Sequence, residues 1–469
     1  FTDLFLGNKL EAGNVARPPV SSSKGKNELG SYFGRINYSL LDKYLFTFSL
    51  RYDGSSKFGK NNKWGLFPSG AFAWKMQNEN FLKDVDWLSE LKLRVSFGQT
   101  GNSNIGGNAY EYYEAGNQYV FGDAVQTGSI KSQLENPDLK WETTTELNVG
   151  LDGFLNNRIT GSFEYFHKVV SDLLAFRKLN SLMEVSTIAD NIGATQSTGY
   201  EFSLNTVNLT GPFKWNTTLN ISSYNDRWKE RNPDVVLAPY EKEDAPIRAI
   251  YGCVSDGILQ IGETPPASMP DLLPGQMKVK DLNGFDPNDG SKLLGHPDGK
   301  IDAADRIYLG STDPKVIIGF GNMFEYKNFD LNIFFYGMFG QYVANSNRAK
   351  YGPSGCEYIL QRQNYSKEVL ERWTPDNPTN KFPSGFYSAY YGGDDWLLEK
   401  VSFVRCKNIT LGYSFPHKWI HKVFSQARIY VDVENPFIIT NYQGLDPEMD
   451  SKGGYPSQRT YSIGIDITF

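Results

Sequence analysis

Alternation with a period of two constrains this chain more than any other feature. Over 44–53, Phe46, Phe48, Leu50 and Tyr52 alternate with Thr47, Ser49, Arg51 and Asp53. Over 91–98, Leu91, Leu93, Val95 and Phe97 alternate with Lys92, Arg94, Ser96 and Gly98, and the last segment sets Tyr461, Ile463, Ile465, Ile467 and Phe469 against Ser462, Gly464, Asp466 and Thr468. Successive strand side chains point to opposite faces, so each segment carries one apolar and one polar face. Thirteen segments read this way: 31–41, 44–53, 64–76, 91–100, 141–152, 158–171, 197–207, 212–224, 314–325, 328–340, 400–413, 427–439 and 459–469. Few helical patterns separate them, which argues for antiparallel β structure over βαβ units.

The connections alternate too. Short ones (42–43, 77–90, 153–157, 208–211, 326–327 and 414–426) interleave with a set that is mostly much longer: 54–63, 101–140, 172–196, 225–313, 341–399 and 440–458. Long connections gathered at one end describe a transmembrane β-barrel, with short turns on one side and long extracellular loops on the other. Strands of this length suit a tilted crossing of the bilayer. The polar faces carry Arg51, Arg94, Glu146, Asp152, Glu164, Glu201, Asp330, Asp432 and Asp466. Such charges cannot face lipid, where Arg or Lys at mid-bilayer costs ~2–4 kcal/mol. Tyr44, Tyr52, Trp64, Trp74, Trp141 and Trp215 lie near segment ends, the positions of a headgroup-level aromatic girdle. A large secreted β-protein such as a propeller is the blander alternative, against which stand unequal repeats and the lack of a blade motif.

Parity yields one more expectation. With the long loops outside, segments 31–41 and 459–469 both run inward, and thirteen strands cannot then close an antiparallel barrel. The chain therefore reads as the C-terminal part of a larger barrel, unless residues 1–30 hold one more strand. The organisation expected is 1–30 as a connection or the end of a preceding strand or loop, and 31–469 as barrel with long loops at 101–140, 172–196, 225–313 and 341–399.

Composition removes several classes. A net charge of −6 leaves no basic footprint for nucleic acid. Aromatic residues at 14% are too many for disorder. The three cysteines (Cys253, Cys356, Cys406) form no C-x-x-C pair; Cys253 and Cys356 both lie in long connections, where pairing is open to them. His417 and His421 have i, i+4 spacing without an evident third metal ligand, which reads as surface histidine. G-x-S-x-G, H-E-x-x-H and P-loop motifs are missing, and "GFGNMF" (319–324) falls mid-strand, so no catalytic residue is assigned and the protein is read as not an enzyme.

Several stretches resemble one family, the SusC/RagA-type TonB-dependent outer-membrane transporters of Gram-negative bacteria. They are "FLKDVDWLSELKLRVSFGQTGN" (81–102), "NPDLKWETTTELNVGLD" (136–152), "STGYEFSLN" (197–205), "ERWTPDNPTNKFP" (371–383), "WLLEKVSFVRCKNITLGYSFP" (396–416), "RIYVDVENPFIITNYQGLDPE" (428–448) and "YSIGIDITF" (461–469). The resemblance implies a 22-stranded barrel enclosing an N-terminal plug, with the plug, a TonB box and the remaining strands outside these residues. It implies as partners a SusD-like surface lipoprotein over the mouth, TonB acting through an N-terminal region, and outer-membrane lipid. The activity implied is nutrient import, of an oligosaccharide first and a peptide as the alternative. A passive porin or surface-binding barrel is the other reading.

Two loop stretches suit ligand contact. "YEYYEAGNQYVF" (110–121) supplies Tyr110, Tyr112, Tyr113 and Tyr119, and "FYSAYYGGDDW" (386–396) supplies Tyr390, Tyr391, Asp394, Asp395 and Trp396. Aromatic faces stack on sugars and carboxylates take hydroxyl hydrogen bonds; the same rings could equally pack loops together or meet the lipoprotein. "SKEVLERW" (366–373) reads as a helix with Ser366 as its cap. No cofactor is required. A structural calcium ion is expected in the longest loop, where "DLNG" (281–284) and "DGKIDAAD" (298–305) join into an EF-hand-like pattern. Asp281, Asn283, Asp298 and Asp302, the Lys300 carbonyl and Asp305 would supply the oxygens, with Gly299 at the sharp turn. Residues 285–297 interrupt the pattern, so convergence requires that insert to bulge outward. The alternative is a surface turn closed by side-chain-to-backbone hydrogen bonds.

Overall fold

A computed structural model describes residues 26–105, 109–180, 182–183, 185–352, 364–384, 394–421, 423–449 and 454–469. Thirteen strands form one antiparallel sheet in sequence order. They are β1 (Leu29–Leu40), β2 (Tyr44–Ser55), β3 (Trp64–Lys75), β4 (Leu88–Asn102), β5 (Glu142–Leu155), β6 (Ile159–Ser171) and β7 (Ala194–Thr210). There follow β8 (Phe213–Glu230), β9 (Val316–Tyr326), β10 (Phe329–Ala344), β11 (Leu398–Ser414), β12 (Gln426–Thr440) and β13 (Thr460–Thr468). Each expected segment corresponds to one of them. Several run further: β4 starts at Leu88, β7 spans Ala194–Thr210 and β8 continues to Glu230. β1 and β13 are the two sheet edges, so the described wall is part of a barrel and not a closed one.

Register carries the apolar faces into continuous rows. Ile36 pairs with Phe48, which pairs with Gly70, which pairs with Phe97, which pairs with Leu147. One residue along, Arg35, Ser49, Ser69 and Gly98 form the opposite row. Cross-strand neighbours of this kind contribute ~0.2–1 kcal/mol each and lock the register, because a one-residue slip would exchange the two faces. The short connections use backbone that suits the strand twist: Leu41 and Asp42 between β1 and β2, and Asn156 and Asn157 between β5 and β6, all have positive φ near 50°.

Aromatic clusters stand at both ends of the apolar face. Trp64 stacks on Tyr32 and Tyr52 at 5.9 and 4.8 Å near the loop end. At the turn end Tyr44 lies 6.5 Å from both Phe72 and Trp74, and Phe324 lies between Phe213 and Trp215 at 6.0 and 5.9 Å. Trp141 departs from this expectation. It is buried, packs on Phe58 and Phe67, and donates to the Lys63 carbonyl at 3.1 Å. Phe67 sits on the polar-face row of β3, so Trp141 points inward to a loop core and belongs to no girdle.

The long connections carry structure of their own. Hairpins pair Tyr112–Phe121 with Ala124–Gln133, and Leu174–Lys178 with Thr187–Asn191. Within 231–315, Ala249–Gly252 pairs with Ile307–Ser311, Ser255–Ile258 with Met277–Val279, and Phe285–Asp286 with Asp289–Leu293. Within the helical stretch expected at 366–373, Lys367–Glu371 form a 3-10 helix, and Ser366 makes no capping side-chain hydrogen bond. Pro375, four residues on, disfavours helical backbone at Thr374 and so bars a longer helix.

Candidate functional site

The inner face of the wall is held by charge. Arg94 on β4 bonds Asp152 on β5 at 2.7 Å and Glu164 on β6 at 2.5 Å, and Lys92 reaches Asp152 at 3.0 Å. Gly150 makes room for this: a Cβ there would stand 2.9 Å from an Arg94 nitrogen. Near the other edge Arg428 on β12 bonds Asp330 on β10 at 2.6 Å and Asp466 on β13 at 3.2 Å. Glu201 and Asp432 also lie on this face, Asp432 accepting from the Thr410 hydroxyl. A surface with these groups needs water or a polar body against it.

At the loop end the connections fold against one another. Phe58, Phe67, Ile105, Ala109, Leu139, Trp141 and Ala189 form one buried cluster drawn from five chain segments. Arg348, buried, bonds Glu368 at 2.9 Å, Glu399 at 3.2 Å and Gln443 at 2.5 Å, with its guanidinium over the Phe382 and Trp396 rings. Arg405 on β11 bonds Asp446 and Glu448 at 2.6 Å each and ties the 441–459 connection to the wall. Burial alone would raise the Asp446 carboxyl. The backbone amides of Ser457 and Glu448, together with Arg405, outweigh it and hold the group below its ordinary value.

The ligand-contact residues expected from the sequence fall into separate places. Tyr112, Tyr113 and Tyr119 are exposed on the 112–133 hairpin; Tyr113 donates to Glu111 and lies under the Lys131 ammonium, while Lys63 lies over Tyr110. Asp395 accepts from the Ser255 amide and hydroxyl, and Trp396 donates to the Lys381 carbonyl and packs edge-on to Phe382. Those two side chains are engaged in holding loops together. Tyr390, Tyr391 and the Asp394 side chain lie outside the described residues, as does Cys356 of the Cys253–Cys356 pairing.

The Asp281–Asp305 loop folds back on itself around its insert. The insert forms the 285–293 hairpin, and the two halves meet: Asp281 accepts from the Asp298 and Gly299 amides at 3.2 and 2.8 Å. Buried Asp305 accepts from the amides of Leu282, Asn283 and Asp302, and Asp302 caps Ala304. Asn283 accepts from Gly295, and Asp298 from the Lys300 amide. Among the described residues no group of three or more His, Cys, Asp or Glu side chains is arranged to hold a metal ion.

A further crevice went unread in the sequence. A cavity of about 470 Å³ is lined by Tyr224, Asp226, Arg227, Tyr308, Asp313 and Tyr342. It adjoins one of about 230 Å³ lined by Tyr240, Asp244, Tyr251 and the shared Arg227 and Tyr308. Burial pushes the Asp313 carboxyl up, partly offset by Arg248 at 3.6 Å, and burial likewise raises the Tyr308 phenol. These residues span 224–342, so only folding assembles them; the tyrosines of the 225–313 loop were the available hint.

A thirteen-stranded meander with an apolar outer face, a charge-paired inner face and its long connections folded at one end defines part of an outer-membrane-type β-barrel. A family model described as "TonB dependent receptor-like, beta-barrel" matches residues 3–266, and the chain belongs to that family. The SusC/RagA resemblance is borne out. The chain is 36% identical over 460 residues to the TonB-dependent receptor SusC of Bacteroides thetaiotaomicron, covering 95% of this chain and 44% of that protein. It is 34% identical over 497 residues to TonB-dependent receptor P3 of Formosa agariphila, covering 98% and 47%. The RagAB peptide importer in its closed-closed state superposes with a TM-score of 0.78 at 26% identity, over 94% of this chain and 48% of that one. The chain thus spans about half the length of the relatives it matches.

Proposed function

We propose that the protein containing this chain is an outer-membrane importer of a Gram-negative bacterium, driven through TonB and working with a SusD-like surface lipoprotein. The single observation that carries the reading is the two-faced wall: lipid-suited rows outside, and an inner face whose charges demand a polar content. Family membership and the likeness to SusC support energised import over a passive pore. The substrate we favour is an oligosaccharide, since the Tyr224–Tyr308–Tyr342 crevice joins aromatic rings to carboxylates and an arginine, the equipment for sugar faces and hydroxyls. A peptide is the second reading, favoured by the superposition on the RagAB peptide importer. The test is uptake of labelled oligosaccharides and peptides by cells making the full protein, with and without TonB and the partner lipoprotein. Uptake lost in both deletions is expected. Uptake indifferent to TonB would leave a passive barrel, and peptide uptake without sugar uptake would reverse the substrate assignment.

A further inference from the structure

Most of the strong cations on the inner wall are already answered. Arg94 and Arg428 each hold two carboxylates, Lys92 holds Asp152, and Lys214 holds Glu325 at 2.8 Å. One patch differs. Among the described residues Arg35 on β1 bonds only the Ser49 hydroxyl, at 3.0 Å, and the Lys57 ammonium in the β2–β3 connection only the Ile105 carbonyl, at 3.4 Å. Neither has a carboxylate within ion-pair distance among the described residues. Arg51, on the same face, pairs with Asp53, two residues further along.

All four line a cavity of about 540 Å³ at the loop end of the inner face, together with Gln99 and Asn102. Its roof is apolar, formed by Phe67 and Trp141 of the buried loop cluster. Three cations against one carboxylate leave the cavity positive, and low-dielectric walls around such a cleft focus its field on an entering anion. Guanidinium groups bind carboxylates through paired, charge-assisted hydrogen bonds, and Arg35 has most of its donors unspent. The volume is that of a small-ligand site. It lies at the loop end of the inner face, beside the folded connections.

We propose that this cavity binds a carboxylate carried by the imported molecule, from an acidic sugar or an acidic peptide residue. The inference rests on the importer reading and adds a charge requirement to it.

The test uses the full-length protein purified with its partner lipoprotein and titrated with four probes: trigalacturonate, its fully methylated ester, and N-acetylated, C-amidated triglutamate and triglutamine. One carboxylated probe is expected to bind about tenfold or more tightly than its neutral counterpart at low salt, the worth of a charge-assisted hydrogen bond. The advantage is expected to shrink as salt rises, to vanish in the R35Q/K57Q double variant and to persist in R35K/K57R. Whichever probe shows it identifies the carboxylate's source. Arg35 is exposed and Lys57 half-buried, and heat-modifiable gel mobility checks that the variants fold. No advantage for either acidic probe overturns the proposal, as does an advantage that R35Q/K57Q leaves intact; a carboxylate of the protein's own filling the cavity gives the first result. TonB-dependent uptake in the same variants separates the two readings. TonB-independent uptake sinks the importer, whereas TonB-dependent uptake without charge preference sinks only this site.

Discussion

Large apolar side chains behave oppositely in the wall and in the loops that cap it. In the wall Ile36, Phe48, Ile463 and Ile465 are 68, 58, 77 and 64% exposed, while in the loops Phe58, Leu139, Ile258 and Leu259 are at most 1% exposed. Both follow from the same hydrophobic effect with different surroundings. The loops bury their own core because water lies outside, and the wall presents apolar rows because lipid does. Polar groups sort in mirror image. Wall charges pair across open register rows, whereas the cap hides Arg348 among carboxylates and rings and covers Arg405 of β11 with Asp446 and Glu448. Wall and cap are thus stabilised separately, joined at a few points such as Arg405.

The sharpest way to break that comparison is at the joint. Arg405→Ala leaves Asp446, as buried as its partner, without its cation, and a cost of ~3–5 kcal/mol is expected. It should appear as new protease cleavage in 441–459 while the heat-modifiable barrel persists; loss of the barrel itself would mean that wall and cap are one unit. Next in size is the wall's outer face. Phe48→Arg is expected to cost ~2–4 kcal/mol in membrane-folded stability, whereas Thr47→Arg, one residue along on the inner face, should be far milder. Equal costs would erase the difference between faces.

These two faces were legible in the sequence because a strand in a bilayer must alternate along its whole crossing, and Phe46–Tyr52 or Tyr461–Phe469 do so without interruption. Legibility stopped where the bilayer stops. The extensions of β7 and β8 open on stretches such as Thr195–Gln196 and Asn225–Arg227 that are polar on both faces, so no alternation marked them. Trp141 was misplaced because a ring near a strand end serves a girdle or a loop core equally well in sequence, and only contact with Phe58 and Phe67 decides. The tyrosine crevice and the Arg35–Lys57 cavity draw on residues far apart in sequence, which no local pattern can announce.

Smaller effects sharpen the picture at each end. At the turn end, Glu79 accepts from Tyr44, Lys43 and Trp74, which lower its carboxyl from 4.5 to about 2. A depressed carboxyl stabilises the fold above its unfolded value and loses that contribution as pH falls from about 4.5 towards 2. Glu79→Gln should flatten the pH dependence of stability in that window, measured by denaturant unfolding; an unchanged slope would remove Glu79 from the turn's stabilisation. At the loop end, Asp305→Ala strands three amides, so protease cleavage within 281–305 is expected with or without calcium. An ion bound there would add protection that rises with calcium and is reversed by a chelator, and cleavage indifferent to both leaves a turn closed by hydrogen bonds alone.

The two-faced wall itself is tested most directly by single cysteines in the membrane-embedded full protein, labelled with a lipid-soluble thiol reagent. Cysteine at Phe48 or Ile465 is expected to react and cysteine at Arg94 or Asp466 to resist, since these pairs sit on opposite faces of the same sheet. The reverse pattern, or equal labelling at all four, would contradict a membrane-spanning barrel wall.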